Sequence, residues 1–555
     1  MSDSGTSFLE TNLLSLSTGN TLLAEKLSHT EESKNLLLSS SRTGQPIPLL
    51  VKGSREIPLH SKFDPEKEGS RFFRTFNNPG YIVILGFGAA YHIKPFLDNK
   101  HISEILIIDK DIEVFRKVIR CFNLTPIFLD KRVKILIDPK SEEISDFILK
   151  HYIPAISGDL HILKLRSRVE TEPEFFSEVI HTINDVISPL SEDFSVQSYF
   201  GKRWFINTLN NLDAAEKTTI SIPPIQKALI IGAGPSLELQ LSEIKKLRSG
   251  GYVICTDTAL PALLKFHIKP DLVISIDCQH ITYFHFLEGI PPEIPLVIDL
   301  ASPRNMTKLT KNIFFFSSGH PFSLYVRSRW RSFPFIDTSG GNVSHAAVSL
   351  AYSLGAKSIY LFGIDFSYPR GKSYARGTYL YPYFCSRSDR FSPLENHFIT
   401  FLFHNDQIEH VRNASAIRYV TKPMISYKTR LESLISKLDT EIIPFPGEGE
   451  EIHATHKPAE TGEKRFPRIL SAGPADTDWQ VFLQRYDRIL STLPIPEDSV
   501  SEYMNSLTPL QKEICTTILP AAAAIRKEAP PGMSGAQVLK KTIEWTRDMI
   551  KRYIS

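Results

Sequence analysis

Cysteine and net charge are both scarce in this chain of 555 residues. The five cysteines are scattered without any Cys-x-x-Cys spacing, which argues against a disulfide framework and against a thiolate zinc site. Lysine and arginine number 64 against 61 aspartates and glutamates, so the formal net charge is only +3. That balance lacks the basic surface of a nucleic-acid-binding protein, and nucleic acid is not predicted as a partner.

Long apolar runs are missing as well. No stretch of about 18 consecutive apolar residues occurs, which is the length needed to span a bilayer. The start, MSDSGTSFLE, has neither the basic residues nor the apolar run of a secretory signal. Walker, His-Glu-x-x-His and Gly-x-Ser-x-Gly motifs are also absent, which removes the catalytic classes that they define. We expect a cytoplasmic protein without membrane insertion.

What the sequence does contain is a recurring strand, glycine turn and helix pattern. One example begins at Tyr81 and turns at Gly86 and Gly88; another begins at 227 and turns at Gly232 and Gly234. Further apolar runs of the second region end in Asp257, Asp277 and Asp365. Strands that alternate with helices in this way predict parallel sheets and an α/β fold.

The composition divides the chain into four segments. We predict a Rossmann-like N-terminal domain over residues 1–215 and a central doubly wound domain over 216–450. A stretch rich in Pro, Gly and charge predicts a linker over 451–478, and helical periodicity predicts a C-terminal helical domain over 479–555.

Two turns of the central domain, at 232–236 and 339–342, suit an anionic ligand. Ligands of open parallel sheets bind at the carboxyl ends of strands, where helix N-termini offer N–H groups and a positive dipole end. Glycine lets the backbone come close to a ligand, and a tight turn without a ligand is the alternative at each position. The N-terminal turn is a weaker candidate, because Tyr91 stands where the dinucleotide fingerprint has Gly or Ala. Asp109 could still bind a ribose hydroxyl there.

The loop after Asp365 contains Tyr368 and Tyr374. A phenol has a pKa of about 10, so it stays protonated at neutral pH and can donate a hydrogen bond to a departing phosphate. An aromatic loop that packs on its own domain is the alternative.

Several segments in order resemble one family. The runs IGAGPSL, DLVISIDCQ and TSGGNVSHAAVSLAYSLGAKSIYLFGIDFSY resemble the core of the motility-associated factor (Maf) flagellin glycosyltransferases, a core shared with an archaeal-type hydroxymethylpterin pyrophosphokinase. The segments at 59–69, 84–92 and 200–212 are similar to the N-terminal part of the same Maf proteins. The resemblance covers most of residues 45 to 440.

The central block is also similar to bacterial sialyltransferases, which implies a sialyltransferase-like (variant GT-A) domain. That resemblance implies that the two turns hold the CMP part of an activated nonulosonic acid, and that Tyr368 and Tyr374 neutralise the leaving phosphate. Asparagines of those enzymes are replaced here, so the donor contacts differ in part. The predicted donor-binding residues are Gly232, Gly234, Pro235, Ser236, Asp257, Asp277, Gln279, Ser339, Gly340, Gly341 and Asn342.

The general base is left open by the sequence. The sialyltransferases have a histidine ahead of a helix that resembles residues 426–435, and the corresponding YVTKP has none. Asp365 and His345 are chemically able to take a proton, and His345 is equally compatible with a purely structural place at a helix start. The sequence requires no cofactor, and Mg²⁺ is the one candidate: Asp257, Asp277 and Asp365 could bind it, or could equally hold ribose hydroxyls.

The implied reaction moves a pseudaminic, legionaminic or sialic type of nonulosonic acid from its CMP ester to Ser or Thr of flagellin. Flagellar assembly and motility would depend on it. Two alternatives remain: diphosphate transfer from ATP to a hydroxymethylpterin, and a non-catalytic, nucleotide-binding scaffold that handles flagellin.

Overall fold

The chain forms two compact units. The computed structural model describes residues 7–76, 80–404, 408–412, 417–454, 469–495, 499–530 and 532–554. One unit comprises Met1–Lys202 and Asp487–Arg552, and the other comprises Arg203–Tyr486 and Tyr553–Ser555. This division differs from the four predicted segments, because the C-terminal helices belong to the same unit as the N-terminal sheet.

The first unit opens with helices α1 (Leu9–Ser17) and α2 (Thr21–Ser28) and an antiparallel sheet of β1 (Leu36–Ser40), β2 (Pro46–Lys52) and β3 (Arg55–Pro58). After α3 (Pro65–Arg74), four parallel strands follow in the order β6-β5-β4-β7: β4 (Gly80–Leu85), β5 (Ile102–Asp109), β6 (Val133–Ile137) and β7 (Leu160–Lys164). The connecting helices are α4 (Lys94–Leu97), α5 (Ile112–Cys121), α6 (Thr125–Phe128), α7 (Ser141–His151) and α8 (Pro154–Ser157). Helices α9 (Arg166–Val169) and α10 (Pro173–Lys217) come next, and α10 continues into the second unit.

The predicted parallel α/β architecture of this region is confirmed. Strand β4 is buried at every residue, as expected for an uninterrupted apolar run that is covered on both faces. The helix predicted to follow the glycine turn is reduced to the four residues of α4. Ala90 has a φ of 63°, and a residue in the left-handed region cannot continue a right-handed helix.

The second unit is built on seven parallel strands in the order β13-β12-β11-β10-β9-β14-β18. The first half of its elements comprises β8 (Ser221–Ile222), β9 (Lys227–Ile231), α11 (Leu237–Leu247), β10 (Tyr252–Thr256), α12 (Leu260–Lys265), β11 (Leu272–Ser275), β12 (Leu296–Asp299), β13 (Ile313–Phe316), α13 (Pro321–Arg329) and α14 (Val343–Ser353). The second half comprises β14 (Ser358–Phe362), β15 (Tyr368–Pro369), α15 (Leu380–Cys385), α16 (Leu394–Leu402), β16 (Ile408–Arg412), β17 (Ile417–Thr421), α17 (Lys422–Ile435), β18 (Glu441–Pro444) and β19 (Leu470–Ser471). Helix α18 (Trp479–Leu490) begins in this unit and ends in the first.

The strand order reverses between β9 and β14. Successive strands from β9 to β13 extend to one side, and β14 and β18 extend to the other. The carboxyl ends of β9 and β14 therefore form the topological switch point, the usual ligand position in open parallel sheets. The predicted doubly wound sheet thus places the turn at 232–236 and Asp365 at the same edge.

The described parts of the predicted linker pack on the second unit. Ile452 is buried in the main core, β19 pairs with β8, and the Gly473 N–H donates to the Ser332 carbonyl at 2.8 Å. Residues 455–468 of that linker lie outside the described residues.

The C-terminal helices α19 (Val500–Ser506), α20 (Pro509–Glu528) and α21 (Gly535–Ile554) complete the first unit. Glu104 of β5 accepts hydrogen bonds from the Ser499 hydroxyl at 2.6 Å and the Ser501 N–H at 3.0 Å. Arg526 donates to the Ala155 carbonyl at 2.7 Å. These buried polar contacts are the physical reason why the helices do not form a unit of their own. None of the helices in the described ranges is both long and apolar enough to cross a bilayer.

Candidate functional site

The glycines of the 232–236 turn allow two strand ends to approach each other. Gly232 and Gly234 donate their N–H groups to the carbonyls of Phe362 and Gly363, each at 2.8 Å. A Cβ on Gly232 would lie 2.5 Å from the Gly363 carbonyl oxygen, and one on Gly234 would lie 2.5 Å from Asp365 Oδ2. Close approach to the chain itself is therefore sufficient to require both glycines, whether or not a ligand also uses the turn.

Asp365 lies at the N-terminus of α11. Its Oδ2 accepts the Ser236 N–H at 2.8 Å, and its side chain is buried. Burial raises the pKa of this carboxyl above its ordinary value, while the Ser236 hydrogen bond opposes that shift. A carboxylate at a helix N-terminus is also favoured by the helix dipole. The Ser236 N–H predicted for a phosphate is thus engaged by the chain's own carboxylate.

A segment that the sequence analysis did not single out, residues 445–450, covers this turn; we call it the covering segment. The Glu448 N–H donates to Ser236 Oγ at 2.8 Å, and the Glu450 N–H donates to the Asp365 carbonyl at 2.7 Å. Cβ atoms on Gly447 and Gly449 would lie 2.4 Å from Ser236 Oγ and 2.5 Å from the Asp365 Cα. The alternation of glycine and glutamate is the only sequence signal for this contact.

The second predicted turn, at 339–342, is held by Asp337. Asp337 Oδ1 accepts the Ser339 N–H at 2.8 Å, and its Oδ2 lies 3.2 Å from His345 Nε2. The hydrogen bond from His345 holds the pKa of Asp337 well below its ordinary value. Asn342 caps α14 by accepting the His345 N–H at 3.0 Å. The sequence analysis named His345 but missed Asp337, the residue that orients it.

Both turns lie at the carboxyl edge of the sheet. The Ile225 N–H, just ahead of β9, donates to the Leu354 carbonyl at the end of α14 at 3.0 Å. The C-terminus of α14 is therefore at the amino edge, and α14 packs along β9, β10 and β11. Its N-terminal turn, with Gly340 buried and Gly341 at a φ of 73°, must face the carboxyl edge.

Asp257 and Asp277 follow neighbouring strands at the same edge. Asp257 is buried and accepts hydrogen bonds from the Ser275 hydroxyl at 2.6 Å and the Thr258 N–H at 2.7 Å. Asp277 accepts the Gln279 N–H at 2.9 Å. Burial raises the pKa of Asp277, and the Asp257 carboxylate raises it further. Asp277 is therefore close enough to Asp257 to be affected by its charge.

The predicted tyrosines join this carboxylate pair. Burial raises the pKa of Tyr374 well above its ordinary value, and Tyr368, Tyr379 and Asp257 add to that shift. Burial also raises the pKa of Tyr368, which begins β15 opposite Tyr419 of β17. Both phenols are therefore protonated at neutral pH, which is the condition that a hydrogen-bond donor to phosphate must meet.

Tyr379 and His285 belong to the same cluster and were not predicted. Their rings meet edge to face with centroids 4.7 Å apart. His285 Nε2 lies 3.4 Å from Thr258 Oγ1, next to Asp257. His285 comes from the 3₁₀ helix His280–Phe286, whose position depends on tertiary packing rather than on a local motif.

The N-terminal glycine turn is filled by side chains of its own unit. Asp109 accepts the Phe87 N–H at 2.7 Å and Arg168 Nε–H at 2.8 Å. His60 Nε2 accepts the Ala89 N–H at 2.8 Å. The Asp109 carboxylate already accepts hydrogen bonds from the chain itself, which favours a structural role of this turn.

Carboxylates of the described residues do not converge on a metal site: no group of three or more His, Cys, Asp or Glu residues there has the arrangement needed to hold an ion. Asp257 and Asp365 use their oxygens for hydrogen bonds with Ser275, Thr258 and Ser236. Mg²⁺ binding stays a prediction from the sequence.

Asp299, at the end of β12, is a buried carboxyl that the sequence analysis did not name. Its Oδ1 accepts the Ala301 N–H at 2.9 Å, and burial raises its pKa from the ordinary value of 3.8 to about 6. The folded chain thus binds this proton more tightly than the unfolded chain does, so the carboxyl costs stability as the pH rises through this interval.

We expect Asp299→Asn to be more stable than the wild type by about 2–3 kcal/mol at pH 7.5, since one pKa unit corresponds to about 1.4 kcal/mol. The difference should vanish toward pH 4, where the wild-type carboxyl is protonated in the folded chain. Urea unfolding at both pH values measures it. If Asp299→Asn and the wild type differed in unfolding free energy by the same amount at pH 4 and pH 7.5, the raised pKa of Asp299 would be contradicted.

The fold and site together define a parallel α/β protein with a polar, tyrosine-containing cluster at the carboxyl edge of its larger sheet. Residues 202–371 match the family model described as 6-hydroxymethylpterin diphosphokinase MptE-like. A solved structure of a Maf glycosyltransferase from Magnetospirillum magneticum AMB-1 is similar in fold, with a TM-score of 0.53 and 13% identity over 99% of this chain and 90% of that chain.

Sequence relatives come from Treponema pallidum (strain Nichols). An uncharacterized protein of that organism is 34% identical over 172 residues, which are 30% of this chain and 82% of the relative. A second uncharacterized protein is 36% identical over 154 residues, which are 27% of this chain and 54% of the relative. The chain belongs to the same family as the first of these treponemal proteins.

Proposed function

We propose that the chain is a glycosyltransferase that moves a nonulosonic acid, of the pseudaminic, legionaminic or sialic type, from a CMP-activated donor to Ser or Thr of flagellin in the cytoplasm. The fold shared with a Maf glycosyltransferase supports the reaction class. The Maf-like and sialyltransferase-like motifs of the sequence support the donor and the acceptor.

One observation carries the proposal. Tyr368 lies close enough to Tyr374 to raise the pKa of the Tyr374 phenol, and Asp257 at the carboxyl edge raises it as well. Protonated phenols that are partly shielded from water stabilise a phosphate most strongly when it gains charge as a leaving group, because the surrounding dielectric is lower than that of water. A nucleotide monophosphate leaving group needs that stabilisation.

In the proposed reaction, the site holds the donor and the acceptor hydroxyl in the orientation that the transfer needs. The donor lies at the switch point with its phosphate toward the two phenols, and the acceptor hydroxyl attacks the oxocarbenium-like anomeric carbon from the opposite side. A single displacement inverts that carbon. The turn at 339–342 would align the nucleotide beside the turn at 232–236, whose N–H groups of Gly232, Gly234 and Ser236 are bonded to the chain itself. Asp257, Asp277 and Gln279 would contact the sugar of the nucleotide.

The test is product analysis with purified protein. Incubation with a CMP-nonulosonic acid and flagellin should release CMP and add one sugar mass to flagellin peptides, read by chromatography and mass spectrometry. Flagellin with the acceptor region replaced by unrelated sequence is the control. CMP binding without any transfer would favour the scaffold alternative and contradict the proposal.

A second candidate function is diphosphate transfer from ATP to a hydroxymethylpterin. The match of residues 202–371 to the MptE-like model favours it. The same preparation, given ATP, Mg²⁺ and the pterin, would then release AMP. AMP release without CMP release would replace the glycosyltransferase proposal with this one.

A further inference from the structure

His285 is the histidine that contacts the tyrosine and aspartate cluster. Its ring packs edge to face against Tyr379, and its Nε2 lies 3.4 Å from Thr258 Oγ1. Thr258 Oγ1 in turn lies 3.2 Å from Asp257 Oδ1. Because Asp257 can only accept, Thr258 donates to it and is left to accept from His285 Nε2–H.

This chain of hydrogen bonds fixes the imidazole tautomer. With the proton on Nε2, the lone pair is on Nδ1, and Nδ1 is buried without a hydrogen-bond partner among the described residues. Buried polar atoms usually have a hydrogen-bond partner, and His345 Nδ1 is another ring nitrogen that lacks one among the described residues. A substrate hydroxyl or an ordered water that donates a proton would provide the hydrogen-bond partner that His285 Nδ1 lacks.

Two other histidines of this unit are poorer proton acceptors. His345 is buried with Nε2 on Asp337, and a Cβ on Gly340 would lie only 2.1 Å from its Nδ1, so that turn is closed over the ring. His320 stacks on Trp204 at 4.0 Å, and burial lowers its pKa to about 4. His285 is only half-buried.

We propose that His285 is the general base of this site, oriented by Thr258 and Asp257, and that it takes the proton of the acceptor hydroxyl. This inference rests on the proposed glycosyltransferase function and supplies the base that the sequence left open between Asp365 and His345. Asp365 instead accepts the Ser236 N–H at the N-terminus of α11.

The step balances in atoms and electrons. The acceptor O–H bond breaks, and its proton moves to His285, directly or through one water. The oxygen electron pair forms the bond to the anomeric carbon, and the bond from that carbon to the phosphate oxygen breaks with its electrons leaving on CMP. Tyr368 and Tyr374 donate hydrogen bonds to the departing phosphate. Asp277, which is close enough to His285 for the two charges to interact, stabilises the imidazolium until it releases its proton to solvent.

His285→Gln is the main test. We expect kcat for CMP release to fall about 100-fold, which is typical for the loss of a general base, while CMP affinity stays within about twofold. The fall of the wild-type rate at acidic pH should disappear in the variant, since the group that must be deprotonated is gone. The titratable groups near the ring are Asp277, Tyr379 and, beyond Thr258, Asp257. Helix α12, which packs on the same 3₁₀ helix, carries Lys265 in an ion pair with Glu288.

His280→Gln is the matched control, because His280 is exposed at the start of the same 3₁₀ helix. Equal kcat values for His285→Gln and His280→Gln would overturn the assignment. If His285→Gln does not fold, Thr258→Val provides the second test: kcat should fall about 10-fold with a shifted acidic limb, and retention of both wild-type values would overturn the proposal. A wild-type protein that releases no CMP would instead remove the glycosyltransferase function itself, and this base with it.

Discussion

Tyr374→Phe is expected to lower kcat for sugar transfer by about 100- to 1,000-fold, which is the usual effect of removing one donor to a developing negative charge. The affinity for CMP should change far less. The hydroxyl contributes mainly when charge accumulates on the leaving phosphate, so its loss appears in turnover rather than in ground-state binding. The phenylalanine keeps the ring and therefore the packing of the loop.

Steady-state kinetics and CMP titration of the same preparations separate the two quantities. Tyr360→Phe is the control, because Tyr360 lies in β14 with its ring 4.9 Å from Lys227 Nζ and has no part in the cluster. A Tyr374→Phe enzyme with wild-type turnover would remove this phenol from the mechanism. Equal losses of turnover and of CMP affinity would make it a binding residue instead.

Arg168→Met is expected to destabilise the first unit by about 3–5 kcal/mol, since it leaves a buried carboxylate without its partner. Arg168 is only 1% exposed, and its guanidinium contacts Asp109 at 2.7–2.8 Å. The Thr171 hydroxyl accepts a further bond from Arg168 at 2.8 Å. Methionine fills part of the space but satisfies neither acceptor.

Arg166→Met is the matched control two residues earlier. Arg166 pairs with Glu170 on the surface at 2.7 Å, with both side chains mostly exposed, and solvent screens such a pair so that its loss should hardly change the stability. Urea unfolding of both variants gives the comparison. Adding Asp109→Asn to Arg168→Met should recover part of the loss, and equal stabilities of Arg166→Met and Arg168→Met would contradict the role of the buried pair.

The sequence predicted the sheets because their strands are uninterrupted apolar runs. Strands β4 and β9 are buried almost throughout, and glycine turns follow both. It also placed Asp257, Asp277 and Asp365 at strand ends, which the structure brings to one edge of one sheet. The alternation of strand and helix is a local property, so local sequence patterns were sufficient to predict the sheets and the aspartates at their strand ends.

Contacts between distant segments could not be predicted in the same way. The covering segment contacts Ser236 from more than 200 positions away, and the sequence analysis assigned it to the end of the central domain without any contact. The helices after 499 contact the first unit through Glu104, and no pattern in strand β5 predicts that this glutamate is buried. His285 and Asp337 likewise acquire their partners only through the tertiary fold.

The glycine turns show a further limit of sequence reasoning. The pattern at Gly86 and Gly88 resembles a cofactor turn, yet Asp109 and His60 already accept its N–H groups. At Gly232 and Gly234 the same pattern serves the approach of β14. In both turns glycine is required by the chain itself, so glycine spacing alone does not identify a ligand site.

A crystal structure of the protein with CMP tests the central claim most directly. The account predicts the nucleotide at the carboxyl edge of the seven-stranded sheet, with its phosphate within hydrogen-bonding distance of the Tyr374 hydroxyl and with His285 on the side from which an acceptor would approach. CMP bound away from this edge, or a phosphate out of reach of both Tyr368 and Tyr374, would contradict it.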